Sequence, residues 1–198
     1  VYWHHAVRSA TCMFKRAVRS AVTSGRITAD VIADATDASL SEALLRDDPT
    51  GLARAVHERR LHKRAVDLAA AELPGECQPW VSDDPDLVER LEDALAAEAG
   101  LRPGGLLLDF PNRPTMLSVD LPLRTRSGAT ARLTDAGRAG QLGLPRVAEE
   151  LYQSARRFRV FTAGRISTRL ERVTELITWP ASEMEQKVRN GKPRLATD

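Results

Sequence analysis

Aromatic side chains make up only 5% of the 198 residues, so Leu, Val and Ala have to fill any core this chain builds. Two cysteines, Cys12 and Cys77, are present. They are too few for a disulfide framework and by themselves cannot form a thiolate metal site. Isolated thiols of this kind suit a reducing compartment, and the expected location is the cytoplasm. No apolar run approaches the roughly 20 residues of a membrane-spanning helix, and the N-terminus lacks a signal-peptide pattern. Neither sign of charge dominates, since 29 Lys and Arg stand against 27 Asp and Glu for a net +2. That balance argues against a general nucleic-acid binder, so any anion-binding surface has to come from local clustering.

The usual catalytic signatures are missing as well. There is no P-loop, no G-x-G-x-x-G, no G-x-S-x-G and no paired-cysteine zinc spacing. A hydrolytic metal centre needs several His and carboxylate ligands around an open coordination position. The chain has four histidines, His4, His5, His57 and His62. None precedes an Asp, and no pair brackets a Glu at i, i+4. No catalytic residue and no metal ligand is therefore assigned within the chain. Val1 stands where an initiator Met would be and a helix follows at once, so the chain is expected to be the downstream part of a longer protein.

Hydrophobic residues reach 42%, enough for one sizeable domain or a domain with a small lobe. Trp3, Ala6, Val7, Ala10, Met13, Phe14, Ala17, Val18 and Ala21 recur at helical spacing and predict an amphipathic helix over 3–23, ended by Gly25. Two short helices are expected within 27–48, with Ser39 and Glu42 as a capping box. A further helix is expected from Pro49-Thr50 through "GLARAVHERR" into "RLHKRAVDL". "DDPDLVERLEDALAAEAGL" reads as a strong helix with Asp84-Pro85 at its start and Gly100 at its end. "GGLLLDF", "TMLSVDLPLRT", "GATARL" and "RRFRVFTAG" read as four short strands, with "LPRVAEELYQSA" as a helix before the last. "RISTRLERVTELITW" predicts a final helix followed by a polar tail. The expected fold class is α+β and mainly helical, with a short, mostly antiparallel sheet in a small C-terminal lobe.

Two groups of residues are candidates for phosphate. At about 100° per residue, His4, Arg8, Lys15 and Arg19 share one face of the first helix, which is either a solvated face or a polyanion site. Arg59 and Lys63, four apart, would offer a cation pair from a helix or its exit. Tyr2 and Trp3 are flat surfaces able to stack on a base, although Trp3 also belongs to the apolar stripe.

"VYWHHAVRSATCMFKRAV" resembles the segment that follows the catalytic core in dNTP triphosphohydrolases of the SAM-and-HD-domain type and in their bacterial HD-domain relatives. "TDASLSEALL", "HERRLHKRA", "GGLLLDFPNRP…LSVDLP" and "RFRVFTAGR" follow in the family's order, so the resemblance covers residues 1–165. It implies three parts: C-terminal helices of an HD core over 1–73, a small α+β lobe over 74–165, and a terminal helix with a polar tail over 166–198. It also implies hydrolysis of a dNTP to deoxynucleoside and triphosphate. The divalent metal (Mn, Mg, Fe or Zn) would be held upstream, in the protein's own N-terminal HD core. The implied partners are a dNTP substrate, a GTP or dNTP effector, and further copies of the chain in a homo-oligomer.

By the resemblance, Tyr2 packs on the substrate's sugar and base beside Trp3, and His5 lies near the effector's phosphates. Arg59 and Lys63 match an R-x-L-x-K stretch that contacts an effector phosphate. Trp3 replaces an amide side chain, and His5 replaces a lysine, which leaves that position only partly charged near neutral pH. Two readings outside hydrolysis remain open. One is a helical nucleic-acid-binding module, and the other is an oligomerisation module whose basic residues pair with acidic ones such as Asp47 and Asp48.

Overall fold

The first helix shows how apolar spacing becomes structure. α1 spans His5–Thr23 and buries Met13, Ala17 and Ala21 along one stripe. It stops at Gly25, which adopts φ 71° while its N–H donates to Val22 O and the Arg26 N–H donates to Ala21 O. Glycine supports this paired closure because it has no Cβ to clash in the left-handed region. The computed structural model describes residues 4–111, 122–124, 127–132, 156–166, 170 and 172–191.

α2 (Ala29–Asp34) and α3 (Asp37–Arg46) are the two short helices expected within 27–48. The capping box on α3 lies one turn earlier than Ser39–Glu42. Thr36 accepts from the Ser39 N–H at 3.2 Å, and the Ser39 hydroxyl accepts from the Thr36 N–H at 2.9 Å. A short hydroxyl at the third position can take the part usually played by Glu.

α4 (Leu52–His57) ends well before the expected point. The Arg59 N–H donates to Val56 O and the Arg60 N–H to Ala55 O. This is the same closure as at Gly25, but with Arg59 at φ 58° in the left-handed position. The chain then runs into β1 (Lys63–Ala69), a strand where helix was expected. No glycine marks the helix end, so the sequence pattern carries straight through it.

α5 (Trp80–Asp83) leads into α6 (Pro85–Glu98), the helix read from "DDPDLVERLEDALAAEAGL". Asp84 caps α6 by accepting from the Leu87 N–H at 2.9 Å, and Pro85 occupies the first turn, where no N–H is needed. Four of the remaining strands fall where the sequence placed them: β2 (Leu106–Asp109), β3 (Pro122–Arg124), β4 (Thr130–Arg132) and β5 (Arg157–Thr162). The helix expected over 144–155 lies outside the described residues. Near the C-terminus, α7 is only Val173–Leu176, and α8 (Ala181–Arg189) forms where a polar tail was expected. Met184 of α8 is fully buried, and Lys187 lies 3.9 Å above the Trp179 ring.

The fold is α+β. Its main sheet is three-stranded and antiparallel in the order β1-β5-β2, and β3 pairs with β4 separately. Side chains of the main sheet alternate between two cores. Leu106, Leu108, Phe158 and Val160 join α5, α6, α7 and α8 on one face. Leu107 and Phe161 join α1, α3 and α4 on the other. No helix among the described residues is long and apolar enough to cross a membrane.

Candidate functional site

The α1-facing side of the sheet carries more than apolar residues. Asp109 on β2 is opposite Arg159 on β5, and Arg159 is opposite Asp67 on β1. One cross-strand row therefore reads minus, plus, minus, with each charge beside its opposite. Arg159 Nη1 lies 3.4 Å from Asp109 Oδ2, and Arg159 Nε lies 3.5 Å from Asp67 Oδ1. Arg8 of α1 closes one end of the row as a fork on Asp109, its Nε 2.9 Å from Oδ2 and its Nη2 on Oδ1. Arg64 and Arg157 close the other end on Asp67. Burial opposes the charge of Asp67, but the Arg157 hydrogen bond, with Arg159 and Arg64 adding, holds its carboxyl below the usual carboxylate range.

His4 and His5 sit at the α1 end of this row. His4 is the helix cap, its Nδ1 accepting from the Ala6 N–H at 3.3 Å. The two imidazoles lie 4.2 Å apart and both are exposed. Desolvation, then the neighbouring His4 and Arg64, lower the His5 pKa against the opposing pull of Asp67. His5 is thereby kept mainly neutral near pH 7. Tyr2 and Trp3, the candidate substrate contacts, lie outside the described residues.

Lys63 opens β1 and lines a cavity of about 470 Å³ beside the sheet. Arg64, Arg165, Thr162 and Gly164 share that lining, and no carboxylate does among the described residues. Lys63 and Arg165 make no ion pair among the described residues, so their charge faces the cavity region unneutralised. Arg59 is exposed on the turn after α4 and does not line this cavity. Instead of an Arg59–Lys63 pair on one helix, the fold brings Lys63, Arg64 and Arg165 together.

Farther along the α1 cation face Lys15 is exposed, whereas Arg19 is held by α6. Arg19 Nε is 2.7 Å from Glu89 Oε2, and Arg19 also pairs with Asp86. Arg16, which the spacing argument passed over, is the most deeply held of all. It pairs with Glu92 at 2.9 Å, Asp93 at 2.6 Å and Glu89 at 3.2 Å. Glu92 is buried and accepts the Leu108 N–H at 2.7 Å. Two sequence signals pointed at this network: a Glu next to Leu91 on the apolar stripe of α6, and a lone Asp closing "LLLD". His62 is also buried, with Nε2 donating to Gly104 O at 3.0 Å.

Among the described residues, no three or more His, Cys, Asp or Glu are grouped so as to hold a metal ion. The family described as "HD associated region" matches residues 1–174. No curated protein and no solved structure matches the chain.

Proposed function

The chain belongs to the HD associated region family, and from that premise we propose that it serves as the downstream part of a metal-dependent HD phosphohydrolase acting on a deoxynucleoside triphosphate. Family membership carries this reading, because it links the chain to HD-domain proteins. In it the products are the deoxynucleoside and triphosphate, and this part supplies pocket walls and oligomer contacts. The described residues do not fit a divalent-metal site, so the Mn, Mg, Fe or Zn of the reading is held by other residues and no step of hydrolysis is assigned here.

Within this proposal Tyr2 and Trp3 face the substrate, while His5, Arg59 and Lys63 face the phosphates of a GTP or dNTP effector. Two observations support the basic side of it. Lys63 shares its cavity with Arg165, two cations suited to a dense polyanion, beside an Arg64 already paired with Asp67. Arg59 occupies a left-handed position that glycine would fill at about 1 kcal/mol less cost, and strain of that kind persists where a side chain is needed. The phosphate role considered for His4 and Arg8 is left to His4 alone, since Arg8 is already forked on Asp109.

A thermal-shift titration tests the proposal. dGTP or GTP should raise the unfolding midpoint of the chain, and single-stranded DNA should not. Stabilisation by DNA alone would assign a nucleic-acid module, and stabilisation by neither would assign an oligomerisation module. The chain assayed with manganese should show no turnover above a heat-killed control.

A further inference from the structure

The turn Gly104–Gly105, just ahead of β2, presents neighbouring carbonyls that each hold the end of a different strand. Gly104 O accepts from His62 Nε2 at 3.0 Å, and Gly105 O accepts from the Ala163 N–H at 2.8 Å. His62 immediately precedes Lys63 at the start of β1, and Ala163 follows Thr162 at the end of β5, just short of Arg165. Lys63 and Thr162 are themselves cross-strand partners. Both unpaired cations of the Lys63 cavity therefore rise from backbone anchored on one turn.

His62 is fastened through its ring, its carbonyl and its N–H. The carbonyl accepts from Ser9 Oγ at 2.9 Å and the N–H donates to Met13 Sδ at 3.3 Å, both on α1. Gly104 O has no proton to give, so the ring nitrogen facing it carries one. Side chains alternate along extended chain, so a buried His62 turns Lys63 outward to the cavity. On the β5 side, Thr162 Oγ1 donates to Gly164 O at 2.9 Å and fixes the bend that leads to Arg165.

The turn itself is held firmly. The Gly104 N–H donates to Asp93 Oδ1 at 2.9 Å, and Asp93 also pairs with Arg16. The Gly105 N–H donates to Arg102 O at 2.8 Å. Gly104 lies at φ 73°, and a Cβ on Gly105 would stand 2.7 Å from Arg102 O, so a side chain at either would shift the carbonyls.

We propose that His62 is a positioning residue: through Gly104 it locks Lys63 onto the same turn that anchors Arg165, so that the two cations meet one polyphosphate as a preset pair. This rests on the nucleotide reading of the Lys63 cavity and adds the residue that organises it. Backbone fixed before binding spares the ligand the cost of ordering it.

Calorimetric titration of the chain with inorganic triphosphate, and separately with dGTP, tests the role. His62→Phe keeps a ring of similar bulk but offers Gly104 O no donor, and should bind both ligands roughly tenfold more weakly. His62→Gln, whose amide reaches the same carbonyl, should return to within about twofold of the parent. Ser9→Ala releases only the His62 carbonyl and should weaken binding roughly threefold, which carries the test should His62→Phe not fold. Leu176→Val trims the core on the other face of the sheet, lowers stability without touching the turn, and should bind as the parent does. If the parent binds no triphosphate, or Lys63→Ala binds as tightly as the parent, the nucleotide reading fails and the positioning role with it. If Lys63→Ala weakens binding, three results each overturn the positioning role alone. These are parent-like binding by His62→Phe or, failing that, by Ser9→Ala; no recovery in His62→Gln; and an equal loss in Leu176→Val.

Discussion

Replacing Glu92 with Gln tests whether burial or ion pairing governs the α1–α6 contact. Glu92 is buried, and desolvation outweighs both the Leu108 N–H and the Arg16 guanidinium to lift its pKa from 4.5 to about 8. Arg16 does not depend on its charge, because Glu89 and Asp93 also pair with it. The adjacent Asp93 charge pushes in the same direction as burial. Between the two pKa values the native state holds a proton that the unfolded chain has released, so stability falls as pH rises through that window. At 1.36 kcal/mol per pH unit, the span from 4.5 to about 8 amounts to roughly 5 kcal/mol. Gln cannot ionise, yet its carbonyl still accepts the Leu108 N–H. The variant should therefore escape the loss and gain on the parent by about 1.4 kcal/mol per pH unit as pH rises from 5 towards 8. Urea unfolding at fixed pH values, followed by tryptophan fluorescence, measures this directly. Parallel profiles for parent and variant, offset by a constant, would refute the reasoning and mean that Arg16 keeps Glu92 ionised.

Three further outcomes are expected. Asp109→Asn takes from Arg8 the carboxylate it forks on, leaves Arg159 with Asp67, and should cost about 3–5 kcal/mol in urea unfolding at pH 7. His62 has its pKa lowered, chiefly by burial, with Gly104 opposing and Arg102 adding. The unfolded chain therefore binds its proton first, and stability present above pH 6.5 falls as pH drops below it; His62→Gln should flatten that acid limb relative to the parent. Arg59→Gly should raise stability by about 1 kcal/mol by relieving the left-handed strain, whereas adding Lys63→Ala should weaken nucleotide-induced assembly, measured by light scattering; unchanged assembly would reject the effector role.

What the sequence disclosed follows from local chemistry. α1 and α6 were readable because their apolar spacing is regular and their ends carry Gly25, Asp84 and Pro85, each with one physical meaning. β2 and β5 were readable as short apolar or alternating runs. β1 was not, because the helix before it ends on Arg59, a residue that gives no terminating signal. α8 was read as tail because its one buried anchor, Met184, is isolated among polar residues.

The candidate site followed the same rule. Individual cations on α1 were visible, but their partners Asp109, Glu89 and Glu92 lie about 70 to 100 positions away, and only the fold brings them together. The spacing sets Lys63 four residues from Arg59, whereas the fold also sets it in one cavity with Arg165, which follows β5 and is remote in sequence.

The row Asp67–Arg159–Asp109 also bears on how the strands find one another. β1 and β5 are nearly a hundred residues apart in sequence, and their pairing carries one backbone irregularity, between Arg64 and Val66. A shift of β5 by a single position would swing Arg159 into the greasy side of the sheet and expose both carboxylates to Phe158 and Val160. The charged row thus acts as a key cut for one alignment, so misthreaded versions of the sheet are penalised electrically as well as by packing.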